Sequence, residues 1–391
     1  MQEAAPQAEP KGFTDVRIVG VGGGGGNAVN RMIEAGVSGV EFVAVNTDAQ
    51  ALELLQARHR IHLGGPASRR LGAGGDPAIG RRAAEETETD LLDAVGGADM
   101  VFVTAGMGGG TGTGAAPIVA QLARRQRALT VAVVTLPFGF EGSRRQRLAA
   151  EGVAQLRDAV DALIVIPNDR LLSLTERQTS MVQAFRRADD MLRQGVQGIA
   201  DLVTVTGVIN LDFADVRSVM EDAGRTLMAI GEGNGEDRAL QAAKAVVASQ
   251  LLEHSIAGAS RLLLNITGGP DLSLHEVSEV AEYVTQVASP DANIIFGHVV
   301  HPRPEVEIRV TLIATGMPDE SVTQSRRAGS ADRHFPATAP MGSLEPRLAA
   351  RAEEPRTTDE RRPFRPPSRA EAQVPDDSDP LEVPSFLRRQ R

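Results

Sequence analysis

The segment Gly106-Met107-Gly108-Gly109-Gly110-Thr111-Gly112-Thr113-Gly114 constrains the chain more than any other. It follows the apolar run Met100-Val101-Phe102-Val103-Thr104 and precedes Ala115-Ala116-Pro117-Ile118-Val119-Ala120-Gln121-Leu122. The apolar spacing and early proline of the latter predict the first turns of a helix. The glycines therefore form a strand-to-helix turn. With no Cβ, such a turn lets backbone and ligand approach closely, and its amides lie at the positive end of a helix, where a phosphate is stabilised without a cationic side chain. Thr111 and Thr113 add hydroxyl donors. A flexible linker would share the composition but not the frame of buried strand and amphipathic helix.

A second unit of the same kind stands near the start. The strand Val16-Arg17-Ile18-Val19-Gly20-Val21 runs into Gly22-Gly23-Gly24-Gly25-Gly26-Asn27 and a helical run over 28–35. Gly20, Gly22 and Gly25 also satisfy the dinucleotide fingerprint, and Asp48, after a strand at 41–45, falls near the place of a ribose-binding acid. An NAD-dependent oxidoreductase is thus one reading, but its fingerprint gives no role to the stronger glycine loop at 108–114. A Walker loop needs a lysine, and the only lysines are Lys11 and Lys244, both outside the glycine loops. Phosphates here are expected on backbone amides, hydroxyls and arginine.

The 391 residues allow two ordinary domains and a tail. Aromatics are 3% of the chain, so its cores must be aliphatic, and the absence of cysteine excludes disulfides, thiol catalysis and Cys-ligated zinc. Residues 317–391 hold 13 acidic and 13 basic side chains, so the net charge of −10 resides in the body before them. An acidic body argues against nucleic acid as a partner. No apolar run is long enough to span a bilayer and the first ten residues lack a signal-like apolar stretch, so the expectation is a cytoplasmic protein without direct membrane insertion.

In chain order, 1–14 read as a disordered arm and 71–77 (Leu-Gly-Ala-Gly-Gly-Asp-Pro) as a mobile loop. A strand at 130–135, a turn at 136–140, a helix from about Gly142 and a strand at 162–166 follow. The alternation predicts a doubly wound, mostly parallel α/β sheet over 15–178. Met181, Phe185, Ala188, Leu192, Val196, Ile199 and Val203 space a long amphipathic helix behind Thr179 or Ser180 as N-cap, and 179–209 is taken as this central helix and its connection. A second α+β domain over 210–316 is predicted with helices near 215–229, 237–252 and 274–288 and strands near 260–267, 293–300 and 305–314. Residues 317–378 read as a disordered linker, and 379–391 as a short docking peptide that orders on a partner.

Five of these segments resemble, in order, the tubulin/FtsZ family of GTPases, in particular its bacterial cell-division members. They are 22–27, Asn46-Thr47-Asp48-Ala49-Gln50-Ala51-Leu52, 108–114, 137–145 and Asn210-Leu211-Asp212-Phe213-Ala214-Asp215-Val216-Arg217. The similarity covers about 16–316 and returns at 383–389. It implies GTP/GDP binding, Mg²⁺ carried by the nucleotide with no direct protein ligand, and head-to-tail homopolymers of the division ring coupled to GTP hydrolysis. By resemblance, Gly23, Gly24, Gly25, Gly26 and Asn27 with Gly108, Gly109, Gly110, Thr111, Gly112 and Thr113 cradle the phosphates. Asp48 and the loop from Ala73 to Asp76 flank them. Glu141 and Arg145 sit at the ribose and phosphate side, and Asn168, Phe185 and Asp189 hold the guanine. Val383, Pro384, Phe386, Leu387, Arg388 and Arg389 match the family's peptide for membrane-adaptor and regulatory division proteins, which implies action at the mid-cell division site. Departures are small: Thr206-Gly207-Val208 stands where Pro-Gly-Leu is usual, and Val383 where Ile is common.

Read without the family, several of these residues have plainer roles. Glu141 and Arg145 form an i,i+4 surface pair, Asp189 lies on a solvated charged face, Phe185 belongs to a core, and Asp212 and Asp215 cap a helix. Against capping stands distance. If Phe185 and Asp189 touch the base, the rest of the helix carries Asn210, Asp212 and Asp215 at least about 20 Å away. They would then serve the next subunit's nucleotide in a head-to-tail contact, orienting the attacking water. A GTP-binding scaffold without hydrolysis is the remaining alternative.

Overall fold

A computed structural model describes residues 14–65, 71–172, 178–204, 212–249, 256, 258–300 and 307–317. They belong to one compact unit; a second unit, 319–378, contains none of them. The expectations for the N-terminal arm, Asn210, the Thr206-Gly207-Val208 connection, the linker and the peptide at 379–391 lie outside the described residues.

The first part alternates strand and helix: β1 (Val16–Val21), α1 (Gly22–Glu34), β2 (Glu41–Asn46), α2 (Ala49–Glu53), β3 (His59–His62), α3 (Pro77–Glu86), α4 (Glu88–Val95), β4 (Met100–Gly106), α5 (Thr111–Arg125), β5 (Leu129–Leu136), α6 (Ser143–Arg157), β6 (Ala162–Pro167) and α7 (Asn168–Leu172). Its six strands are all parallel in the order β3-β2-β1-β4-β5-β6. Parallel strands need cover on both faces. Side chains alternate accordingly: Val16, Ile18, Met100 and Phe102 pack with α1, while Val19, Val21, Val101 and Val103 pack with α3, α4, α5 and α6. The chain turns outward from β1 to β2 and β3, then returns to β4. That leaves a crevice between β1 and β4 at their carboxyl ends, where open α/β sheets bind ligands.

The long helix α8 (Met181–Thr204) starts with a reciprocal cap, the Ser180 hydroxyl accepting from the Gln183 N–H and the Gln183 side chain from the Ser180 N–H. Its apolar stripe, Leu192, Val196 and Ile199, shares a core with α1, β1 and Met228, Leu263 and Ile313 of the second part. That part comprises α9 (Phe213–Met220), β7 (Gly224–Gly233), α10 (Arg238–Val247), β8 (Arg261–Gly268), α11 (Leu274–Val287), β9 (Asn293–Val300) and β10 (Ile308–Thr315). β7 pairs in parallel with β6 through three residue pairs, Ala162 with Gly224, Leu163 with Arg225 and Ile164 with Thr226, and then antiparallel with β10. The strands thus run without a break in the order β3-β2-β1-β4-β5-β6-β7-β10-β8-β9.

The structure departs from the sequence reading in three places. Residues 224–229, expected to continue a helix, begin β7. The helix ends at Met220, Asp222 and Gly224 take left-handed conformations, and pairing of Gly224 to Thr226 with β6 and of Leu227 to Gly233 with β10 outweighs helical spacing. The glycine run at 22–26 is not a turn ahead of the helix but its first turns; only Gly22, at φ +72°, has the conformation that demands glycine. Likewise α5 begins at Thr111, which places Pro117 within the helix rather than in its first turn.

Candidate functional site

Both glycine-rich helix starts open into one cleft of about 910 Å³ at the carboxyl ends of the parallel strands. Neither α1 nor α5 carries a side-chain cap. The first amides of each helix, including Gly23, Gly24, Thr111 and Gly112, have no partner within their own helix, and these four residues line the cleft. The two starts nearly touch: a Cβ on Gly22 would stand 3.0 Å from the Gly112 nitrogen, and one on Gly24 3.2 Å from that of Gly106. Two sets of orphan donors and two helix dipoles therefore converge on one anion-sized place. Thr111 joins this floor to the residue that follows β2, its hydroxyl 2.7 Å from that of Thr47.

Of the sequence-predicted residues, Gly23, Gly24, Asn27, Asp48, Ala73, Gly109, Gly110, Thr111, Gly112, Glu141, Arg145, Asn168, Phe185 and Asp189 line this cleft, although they come from seven separate segments. Gly25, Gly26, Gly108 and Thr113 do not. Gly25 backs onto β4, where a Cβ would meet the Thr104 carbonyl at 2.2 Å, and Gly26 onto Leu55. The Gly108 N–H donates to the Thr113 hydroxyl at 2.8 Å, so both serve to close the turn and neither lines the cleft. Asp48 caps α2 by accepting from the Ala51 N–H, and its backbone bridges to Leu71, anchoring the 71–76 loop beside the cradle. Glu141 and Arg145 form an ion pair on the cleft wall, and the other Glu141 oxygen accepts from the Phe138 N–H.

The far end of the cleft has different chemistry. Asn168, 5% exposed, has a buried Oδ1 with no hydrogen-bond partner, which is costly unless a ligand supplies one. Phe185 stands edge-on to Phe138, ring centroids 5.3 Å apart, one turn before Asp189. The Asp189 carboxylate lies 3.7 Å from the Arg31 guanidinium. Burial pushes its pKa up to about 7, against the smaller pull of Arg31. A flat ring beside Phe185 with adjacent N–H donors facing Asp189 and Asn168 would satisfy all three groups; guanine has such donors, adenine does not. Sequence reasoning missed Arg31, Asn46 and Gly72, which also line the cleft. Arg31 falls on the polar stripe of α1, and only the tertiary contact with Asp189 distinguishes it.

Asp212 and Asp215 are elsewhere. Asp212 takes the N-cap position of α9, yet its carboxylate makes no cap hydrogen bond, and both acids are exposed. α9 is held at the amino ends of the strands: the Arg217 guanidinium donates to the Arg127 carbonyl just before β5, and Arg124 bonds Asp222 and Asp161 just before β7 and β6. The cleft lies at the carboxyl ends of β5 and β6, roughly 20–26 Å away for strands of six and eight residues at roughly 3.3 Å each.

Family models match two stretches, described as the GTPase domain of the tubulin/FtsZ family at 15–176 and the C-terminal domain of the FtsZ family at 224–318. Among solved structures, an FtsZ dimer of M. jannaschii described as empty is 42% identical, with a TM-score of 0.76 over 78% of this chain and 89% of that one. The GDP-bound monomer of CetZ1 from Haloferax volcanii is 20% identical with a TM-score of 0.69, covering 81% of this chain and all of that one. A GTPγS-bound protofilament of CetZ2 from the same organism, also 20% identical, gives 0.66 over 81% and 98%; at that identity the likeness extends to the fold.

Proposed function

The chain belongs to the tubulin/FtsZ family of GTPases, and we propose that it is a self-assembling GTPase whose active site is completed between subunits stacked head to tail. The observation that carries this reading is the separation of two half-sites. The cleft holds amides and base-recognition groups, whereas the exposed acids of α9 lie at the opposite ends of the same strands, too far to act within one subunit. A heterologous contact that places one subunit's α9 on the next subunit's cleft repeats without closing and builds a filament. Exposed apolar side chains support a covered face around the cleft mouth: Leu71 on its rim, Phe140 beside Glu141, and Met181 one turn before Phe185.

In this reading the amides of the α1 and α5 starts hold the phosphates, and Asn168, Phe185 and Asp189 select guanine. Among the described residues no group of three or more His, Asp or Glu converges on a metal-sized point. Mg²⁺ would be held by the phosphates and water, as its preference for hydrated octahedral coordination allows, and would neutralise charge on the phosphate oxygens. Asp212 and Asp215 of the neighbouring subunit, with Asn210, orient and polarise the water whose oxygen bonds to the γ-phosphorus as the bridge to the β-phosphate breaks. Loss of the γ-phosphate weakens the contact that completed the site, so the filament turns over. We place this filament at the division site, tethered through 379–391 to membrane-adaptor and regulatory division proteins. No helix among the described residues is long and apolar enough to cross a membrane.

The test is GTP hydrolysis against protein concentration with Mg²⁺, for wild type and Asp212→Ala. A threshold followed by a steep rise, lost in the variant, is the expected outcome. Turnover strictly proportional to concentration would mean that each monomer holds a whole site. A filament whose Asp212→Ala form hydrolyses normally would be a scaffold in which these acids have no chemical role.

A further inference from the structure

Helix α5 touches both half-sites. Its first turn, from Thr111, forms part of the anion cradle, and about 20 Å further on, at 1.5 Å per residue, its last turn carries Arg124. Just beyond, Arg127 adopts φ +65°, a left-handed conformation that costs energy in a non-glycine residue, so the surrounding structure must hold it there. That conformation belongs to the tight turn whose Arg127 carbonyl accepts from the Arg217 guanidinium at 2.9 Å. The second non-glycine residue with positive φ, Asp222 at +49°, is the partner of Arg124 at 3.1 Å. Both strained positions among the described residues thus lie where α9 meets α5.

Arg217 is fixed from three sides. Its guanidinium lies 5.7 Å from the centre of the Phe213 ring, Glu221 approaches it at 3.5 Å, and the Arg127 carbonyl takes its outward N–H. Phe213 lies between Asp212 and Asp215 in sequence, so the guanidinium braces the turn from which both carboxylates project. On the other flank Arg261 donates to the Ser218 carbonyl and the Thr315 hydroxyl to that of Val219. Neither of these reaches the acidic end of α9.

We infer that Arg217 is a positioning residue for the hydrolytic reaction, locking Asp212 and Asp215 to the far end of the helix whose first turn binds the phosphates. The inference rests on the reading that these acids act on the neighbouring subunit's nucleotide. It makes α5, rather than the longer α8, the strut that sets the distance between the cradle a subunit offers above and the acids it offers below. A displacement of about 1 Å at such a group can lower turnover by two orders of magnitude, and the position of the acids depends on a guanidinium that does not line its own subunit's cleft.

The experiment compares wild type, Arg217→Ala, Arg217→Met, Arg217→Lys and Asp212→Ala in three measurements: GDP affinity of the monomer, polymer mass by sedimentation with a slowly hydrolysed GTP analogue, and turnover at saturating GTP. The expected result for Arg217→Ala is GDP affinity and polymer mass within twofold of wild type and turnover lowered tenfold or more. Arg217→Lys should recover at least a third of wild-type turnover, because an ammonium can still reach the Arg127 carbonyl. Arg217→Met keeps the stem over Phe213 without the donors and decides the matter if the alanine variant folds poorly; it too should lose turnover alone. Arg217→Met turning over within twofold of wild type while Asp212→Ala is inactive would overturn the positioning role and leave the interface reading intact. Parallel loss of GDP affinity, polymer and turnover in Arg217→Met and Arg217→Lys would make the arginine merely structural. Normal turnover by Asp212→Ala would remove the interface reading and this inference together.

Discussion

Asp189 concentrates the residue-scale chemistry of the cleft. Its carboxyl titrates at about 7 because it is buried, and Arg31 compensates only partly. Guanine N–H donors favour the ionised form, so guanine-nucleotide affinity should rise with pH up to about 7 and level off above it. Below that point it should fall by about tenfold per pH unit. Titration with a fluorescent GDP between pH 5.5 and 8.5 measures this, and a flat profile would take Asp189 out of base recognition. For the empty protein the sign is opposite. The folded pKa lies above the 3.8 of a free carboxyl, so the group's contribution to stability is full below about pH 4 and is lost as pH rises through 7. Asp189→Ala removes hydrogen bonds to a charged acceptor, at about 1.5–3 kcal/mol, and should weaken GDP binding by roughly 10- to 150-fold in the same titration. Little of this could be read locally in the chain. On residue patterns alone Asp189 is a surface acid and Phe185 a core ring; family resemblance singled them out, and nothing singled out Arg31. The glycine loops were legible because strand and helix frame them, but spacing could not show that Gly108 and Thr113 close the turn while Gly109 to Gly112 line the cleft.

Among the elements, the crossing of α3 over α5 is made of glycine. A Cβ on Gly114 would lie 2.0 Å from the Pro77 carbonyl oxygen, and one on Gly80 2.3 Å from that of Gly110. A glycine-to-alanine change inside a helix ordinarily stabilises by about 1 kcal/mol. Gly114→Ala should instead destabilise by about 1–3 kcal/mol, because backbone must move to admit the methyl group. A thermal midpoint lowered by several degrees is the expected reading, and a raised midpoint would show that the crossing has slack. Periodicity made most elements of the first part visible, since strands buried on both faces read as apolar runs and helices as stripes. It misplaced β7, where Leu227, Met228 and Ala229 fit either spacing and only pairing to β10 decides.

For the whole molecule, the proposed head-to-tail site predicts complementation. Mixing equal amounts of Asp212→Ala, with an intact cleft, and Asp189→Ala, with intact acids, should regain about a quarter of wild-type turnover, the share of heterologous contacts that join two intact halves in a random filament. Two poor enzymes that stay poor on mixing would place both groups in one subunit's site. The cleft lies at the carboxyl ends of the parallel strands and α9 at their amino ends, so a filament joined through these two faces carries tension along the strands. Hydrogen bonds between strands run across that direction, and such a pull shears many of them at once instead of unzipping them singly. In the proposed filament each subunit would be loaded along its mechanically stiffest axis, and a stretched filament should part at the joints between subunits before any subunit unravels.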